Sequence, residues 1–207
     1  MKLHRLFLWC AVAGAMSLGS CSSDDSDDDS TPTPGPTEPT GFFFQAEING
    51  QLVQFEDGVG LYGSGAGASS TNAGQEEQSL NLQQPFSGTN LAWVSFIQTF
   101  SQPVTECAQI ESMFAVKAYG YGNSNTGVDG IVVNYIDANG THWASDKGTA
   151  MQAASSFAVT NHDPNTDGFS ERISRAEFAC TLYDDNGNSV PLLNGKIRSR
   201  STQCGHL

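Results

Sequence analysis

The sequence predicts an all-β protein, an antiparallel β-sandwich of about ten strands. Three observations carry that prediction. After residue 21 no long apolar run follows a helical period. Gly, Asn, Ser and Thr are abundant, with 22 glycines among 207 residues. Short apolar stretches with alternating polarity are separated by Asn-Gly turn signals.

The first twenty residues stand apart from that pattern. A basic start, "MKLHR", leads into the apolar stretch "LFLWCAVAGAM". That stretch has the length of a secretory signal and is too short to span a bilayer, which takes about 20 apolar residues. Leu18-Gly19-Ser20-Cys21 resembles the lipobox of bacterial lipoproteins. The resemblance implies acylation of Cys21, cleavage just before it, and anchoring to a membrane through lipid.

Asp24, Asp25, Asp27, Asp28 and Asp29 follow within eight residues of Cys21. Like charges so close repel and stay solvated, so the tract has no tendency to pack. It resembles the acidic export signal of surface-exposed lipoproteins of the Bacteroidota, which implies an outer-membrane protein facing the extracellular medium. Asp29-Ser30-Thr31 also resembles the short O-glycosylation pattern of that group, with Ser30 as the acceptor. "TPTPGPTEPTG" then reads as an extended, semi-rigid spacer at about 3.1 Å per residue. The expected organisation is a signal peptide over 1–20, an anchor and linker over 21–41, and a single β domain over 42–207.

Within the domain, "FFFQAEI" and "QLVQFE" flank Asn49-Gly50, where both turn positions need positive φ. "IVVNYI" and "THWAS" flank Asp137 to Gly140, and "AEFACTLY" and "SVPLL" flank Asp184 to Gly187. Asn194-Gly195 gives a further turn signal ahead of "KIRSRS". More strands are expected near "SLNLQ", "LAWVSFIQTF", "MFAVKAYGY" and "SSFAVTN", and the glycine-rich stretch after Gly58 is expected to be a loop. Alternation places Phe178, Cys180 and Leu182 on one face, the core. Leu91, Trp93 and Ile97 alternate with Val94, Phe96 and Phe100, so that strand should be covered on both sides. The same pattern fits an open, lipocalin-like barrel as the alternative architecture.

"YIDANGTHWASDKG", "SSFAVTNH", "AEFACTLYDDNGN" and "LLNGKI" resemble segments of an uncharacterised family of small β-rich lipoproteins of the Bacteroidota. The resemblance covers roughly residues 128–198; it implies a fold family and carries no catalytic assignment.

Charge and cysteines narrow the function classes. The formal net charge is −13 with both Lys2 and Arg5 in the leading segment, which argues against nucleic acid as a partner. Of five cysteines, Cys10 leaves with the signal and Cys21 takes the lipid. Cys180 lies on the apolar strand face and reads as a buried thiol. Cys107 and Cys204, in polar, loop-like contexts, are the candidate disulfide.

Candidate chemistry is sparse. "GVGLYG" satisfies GxGxxG but is followed by more Gly, Ser and Ala in place of a helix. Asp163, Asn165 and Asp167 alternate like the start of a calcium loop with Gly168 at the turn, yet Ser174 stands where the bidentate glutamate belongs. A structural Ca2+ at these three residues is the one candidate cofactor. His142, His162 and His206 are isolated from one another, and no GxSxG occurs. Trp143, Tyr119 and Tyr121 are candidates for stacking on sugar faces. The expectation is a non-catalytic ligand- or glycan-binding domain held at the membrane by lipid, with a glycan or an envelope protein as partner. The alternatives are a structural or adhesive envelope subunit, and a glycan hydrolase with a carboxylate pair that sequence does not single out.

Overall fold

The computed structural model describes residues 37–70, 74–85, 87–148, 152–164 and 172–201, all within a body that begins at Thr37. Among the described residues the body is all-β: ten strands and one short helix. The strands are β1 (Phe43–Ile48), β2 (Gln51–Glu56), β3 (Gly63–Ser70), β4 (Gln75–Gln83), β5 (Leu91–Thr99), β6 (Gly130–Ile136), β7 (His142–Ala144), β8 (Ser156–Pro164), β9 (Arg172–Tyr183) and β10 (Ser189–Ser201). Helix α1 spans Cys107–Ser112. The strands make one antiparallel sheet in the order β2-β1-β10-β9-β7-β6-β5-β4-β3, with β8 as a second partner of β9. The sheet curls into a half-barrel.

Local chemistry sets the turns. Asn49 and Gly50 have φ of 51° and 75°, the left-handed pair a two-residue hairpin needs, and β1 and β2 register around them without a slip. The two longer hairpins share one device. Oδ1 of Asp137 accepts the backbone N–H of Asn139 and of Thr141, both at 2.9 Å. Oδ1 of Asp184 likewise accepts from Asn186 at 2.9 Å and Asn188 at 2.8 Å. Each aspartate closes its own loop.

The inner face of the curl holds the core. Phe44, Leu80, Leu82, Val94, Val133, Leu182, Leu192 and Ile197 are sealed from solvent, and α1 and the residues after it add Ile110, Met113 and Phe114. Burial of each such side chain contributes about 1.5–3 kcal/mol. Phe178, Cys180 and Leu182 face inward from β9 as their alternation requires. On β5, Ala92, Val94 and Phe96 face the core. Behind them Ile97 joins Val132 and Ala144 in a smaller cluster, and half-buried Trp93 stacks on His142 at 5.3 Å.

The structure departs from the sequence pattern in four places. Residues 113–121 are not a strand: only Ala118 and Tyr121 make isolated bridges, to Ala158 and Ile131. The glycine-rich run is not a loop over 63–70, because β4 pairs it along its length. It meets β10 at Ser199, whose Oγ donates to Gly65 O at 3.1 Å and to Asn81 O at 3.0 Å. Asn194-Gly195 is a bulge inside one long β10 and not a turn, with the register against β9 shifting between Leu192 and Gly195. Cys107 opens α1 and does not lie in a loop.

Candidate functional site

The sheet is least regular where β9 changes partner. Its first two-thirds pairs with β8, from Pro164 opposite Arg172 to Ser156 opposite Ala179. Its end meets β7 at a single pair, Ala144 opposite Tyr183. The partners diverge, leaving a fork in which main-chain groups of β9 have no strand beside them. Buried peptide groups require hydrogen bonds, and here side chains supply them.

Gln152 occupies the fork. Its Oε1 accepts Thr181 N–H at 3.0 Å, and its Nε2 donates to Thr181 O at 2.8 Å, so one amide gives Thr181 both bonds that a neighbouring peptide would. Nε2 also donates to Ser145 O at 2.8 Å, which ties β9 to the end of β7. Ser155 Oγ donates to the same Oε1 at 2.7 Å.

Residues 117–123 close the opposite side. Towards β8, Tyr119 N–H donates to Phe157 O and Val159 N–H to Lys117 O, both at 3.0 Å. Towards β6, Gly122 N–H donates to Ile131 O at 3.0 Å and Ile131 N–H to Gly120 O at 2.9 Å. The approach tolerates no side chain: a Cβ on Gly122 would lie 2.6 Å from Val128 O, and one on Gly130 2.6 Å from Gly122 N. The result is a closed frame running β9, β8, residues 117–123, β6 and β7.

A cleft of about 430 Å³ lies in this frame, lined by Tyr119, Tyr121, Asn123, Ser145, Asp146 and Ser155 among others. Both tyrosine hydroxyls point into the protein. Tyr119 donates to Ala115 O at 2.8 Å, and Tyr121 to Ala179 O at 3.1 Å and Ser156 O at 3.2 Å. Burial pushes the Tyr119 phenol up to about 12, and Tyr121 far above the ordinary tyrosine range. Neither ionises at neutral pH. Cys180, beside Tyr121, is a free buried thiol that burial pushes up to about 12. It is inert as a nucleophile at neutral pH.

Asp146 is the acid on the cleft wall and is only 8% exposed. Its Oδ2 accepts Ser124 N–H at 3.0 Å and Ser124 Oγ–H at 2.5 Å, while its main-chain carbonyl accepts Asn123 Nδ2 at 3.0 Å. Its Oδ1 accepts no hydrogen bond from any described residue. A larger hollow of about 610 Å³ beside Phe178 and Gly195 has Glu177 and Lys196 on its walls, each already in an ion pair.

The structure brings two of the three expected stacking aromatics, Tyr119 and Tyr121, into one cleft. Trp143 is elsewhere, half-buried against the core, with Nε1 donating to Asp137 Oδ2 at 3.1 Å. Burial alone would raise the Asp137 pKa, but this bond and those from Thr141 and Asn139 outweigh it and hold the carboxyl below its usual range. Asp163 lies on β8 and accepts Asn161 Nδ2 at 2.6 Å; Asn165 and Asp167 fall outside the described residues. Among the described residues no three His, Cys, Asp or Glu side chains gather as metal ligands. Cys21, Asp24, Asp25, Asp27, Asp28, Asp29, Ser30 and His206 also fall outside the described residues. Cys107 is disulfide-bonded, and the expected partner Cys204 lies outside them.

The two described histidines are structural. His142 Nε2 lies 3.0 Å from Asn134 Oδ1, and burial, followed by the Lys147 charge, lowers its pKa. His162 Nδ1 lies 2.8 Å from fully buried Ser174 Oγ, and burial, followed by the Arg172 charge, lowers its pKa. Both stay neutral at pH 7. Sequence reasoning missed Asp146 and Gln152, whose roles exist only once the fork has formed. The spacing of Gly120, Gly122 and Gly130 was the available signal for a close main-chain approach. The chain matches no protein-family model, no curated protein and no solved structure.

Proposed function

We propose that this protein is a lipid-anchored, surface-exposed outer-membrane lipoprotein of the Bacteroidota type, whose β domain binds a small polar ligand such as a glycan and does not catalyse. The anchoring half of this reading rests on Leu18-Gly19-Ser20-Cys21 and the aspartates after it. The binding half rests on one observation, the cleft in the β9 fork. Its frame is fixed by main-chain and amide hydrogen bonds, so the site is preformed and binding need not order it. The walls offer ring surface from Tyr119 and Tyr121 beside the polar groups of Asn123, Ser145 and Asp146. Hydrolysis of a glycosidic bond takes two convergent carboxyls, and Asp146 is the single acid among the described residues lining the cleft. The curled sheet is read as an open barrel, its β3 end drawn towards β10 by the Ser64 and Ser199 hydroxyls 2.9 Å apart.

The test is to fill the cleft without touching its frame. Ala153 is exposed on the cleft rim, so Ala153→Trp costs no buried contact. Oligosaccharide retention by the intact protein on an array, lost in Ala153→Trp at unchanged melting temperature, is the expected result. Equal retention by the two proteins would place the ligand elsewhere.

A second reading, an adhesive envelope subunit, is favoured by the loop after β2. Leu61 is 82% exposed at φ 67°, and Val59 beside it is 59% exposed. Gln84 Nε2 to Gly60 O at 2.6 Å and Tyr62 OH to Asn90 O at 2.9 Å hold that apolar tip rigid. Under this reading Leu61→Asp removes a cross-linked envelope complex and leaves oligosaccharide retention unchanged.

A further inference from the structure

We infer that the cleft takes a ligand carrying a primary ammonium group, received by Oδ1 of Asp146; the inference rests on the cleft being the ligand site. Asp146 is more than nine-tenths buried, and a buried carboxylate is costly unless its charge is met. Ser124 supplies two donors to Oδ2, but both are neutral, so the charge remains. The residues lining the cleft include no Lys, Arg or His. The cation next in sequence, Lys147, is turned away: its Nζ is 2.8 Å from Asp185 Oδ1 and donates to His142 O at 2.8 Å. One oxygen of a carboxylate that lines a preformed cleft therefore has neither a donor nor a counter-charge among the described residues of that lining.

Ligand chemistry follows from that deficit. An anion is repelled by Asp146 and by a chain of net charge −13. A neutral hydroxyl satisfies the lone pair but leaves the charge unmet. An ammonium meets both needs, forming a charge-assisted hydrogen bond strengthened by the partly desolvated site. The tyrosines suit the same guest. With their hydroxyls committed to Ala115, Ser156 and Ala179, the tyrosines offer ring surface, which attracts a cation; Lys117 Nζ already lies 4.8 Å from the Tyr119 ring centroid, so the ring left for a guest is that of Tyr121. Amino sugars and simple polyamines share this chemistry.

The experiment is a nitrogen-15 NMR titration of the intact protein with glucosamine, N-acetylglucosamine, galacturonate and putrescine. Glucosamine and N-acetylglucosamine differ at one nitrogen, cationic in the first and acylated in the second. The expected result is that glucosamine shifts the amide signals of Gly122, Asn123, Ser124 and Asp146 and binds about tenfold or more tightly than N-acetylglucosamine, with galacturonate weakest. A putrescine response equal to that of glucosamine identifies the ammonium alone as the determinant, and a response to glucosamine only identifies an amino sugar. Asp146→Asn keeps an acceptor for Ser124 and should erase the preference for the amine. Equal affinity for the two hexosamines, a preference that survives in Asp146→Asn, or no response to either amine would overturn the inference. Binding of every sugar unchanged by Ala153→Trp would instead overturn the cleft as the site.

Discussion

Two junctions of the same strand show two ways of holding a sheet together. Along one edge β9 meets β10 in a ladder of eleven residue pairs, from Tyr183 opposite Ser189 to Arg172 opposite Ser201, with main-chain bonds and sealed side chains. Along the other edge, at the fork, β9 meets β7 at one pair, and Gln152 and Tyr121 reach its peptide groups with side chains. The ladder is continuous apart from the bulge at Asn194-Gly195, and its two strands lie side by side without a gap between them. The fork leaves volume between its strands, and that volume is the cleft. Regular pairing gives stability, and its local failure, repaired by side chains, gives a cavity with fixed walls.

The largest effect should come from disturbing the ladder. At the β10 bulge a Cβ on Gly195 would lie 2.6 Å from the Phe178 ring and 2.7 Å from Leu192 Cδ2. Both neighbours are buried and neither can swing into solvent. Gly195→Ala should therefore destabilise by about 2–3 kcal/mol through overpacking, and Phe178→Ala by about 3–5 kcal/mol through the cavity it leaves. Urea unfolding measures both, and the loss should be global, with protection from hydrogen exchange falling across the sheet together. A drop confined to the bulge would show that the ladder is not one cooperative unit.

Disturbing the fork should cost less and act locally. Gln152→Ala removes the partners of Thr181 N–H, Thr181 O and Ser145 O, a loss of about 2 kcal/mol at roughly 1 kcal/mol per net hydrogen bond, with partial rehydration. The sharper readout is exchange of the Thr181 amide, which should speed up while amides facing β10 keep their protection. Gln152→Glu separates the two halves of the amide. It keeps an acceptor for Thr181 N–H but places an ionised carboxylate against two carbonyls. The folded state then favours the protonated acid, so its pKa lies above the unfolded value near 4.3. Its deficit should be largest at neutral pH and shrink as pH falls and the acid regains a donor. A deficit independent of pH would mean that Gln152 is not donating to these carbonyls.

The same contrast explains what was legible in the sequence. The ladder is local pattern: alternation put Phe178, Cys180 and Leu182 inside, and Asn49-Gly50 had one sensible geometry. Asn194-Gly195 carries the same dipeptide, but positive φ at Asn194 suits a bulge as well as a turn, and only the pairing of β10 with β9 decides. In "MFAVKAYGY", apolar residues suggested a strand, yet consecutive Met113 and Phe114 both enter the core as the chain leaves α1, and Val116 is 61% exposed. "GSGAGASS" lacks β-formers and becomes a strand because β4 pairs with it at every residue, with close packing only at Gly67, where a Cβ would lie 2.6 Å from Ser79 Oγ. Of the site, Tyr119 and Tyr121 stood out as aromatics. Asp146 and Gln152 did not, because a lone acid and a lone amide acquire roles only when four distant segments meet.

A third side-chain junction tests whether burial or side-chain character sets the strength of such contacts. On the outer face of β9 and β10, Glu38 pairs with Arg175 and Lys196, each at 2.8 Å, and each of the three side chains is about a third exposed. Arg198 Nη1 holds the neighbouring carbonyls of Thr40 and Gly41 at 3.0 and 2.8 Å. The hydrogen bond from Lys196 lowers the Glu38 pKa most; burial opposes it, and the two positive charges add to the lowering. A depressed carboxylate stabilises the fold above its unfolded pKa, and that stabilisation is lost as pH falls through the folded value. With solvent this close, the pair is worth about 1 kcal/mol at most, or a few degrees in Tm. Glu38→Gln should thus lower Tm slightly and uniformly above about pH 5, and the gap from the natural protein should close in more acid solution. Added salt should narrow the gap at neutral pH while leaving the Gln152→Ala deficit in place, because a half-buried neutral amide has no charge to screen. A salt-insensitive Glu38 contribution as large as that of Gln152 would show that exposure does not separate the two kinds of junction.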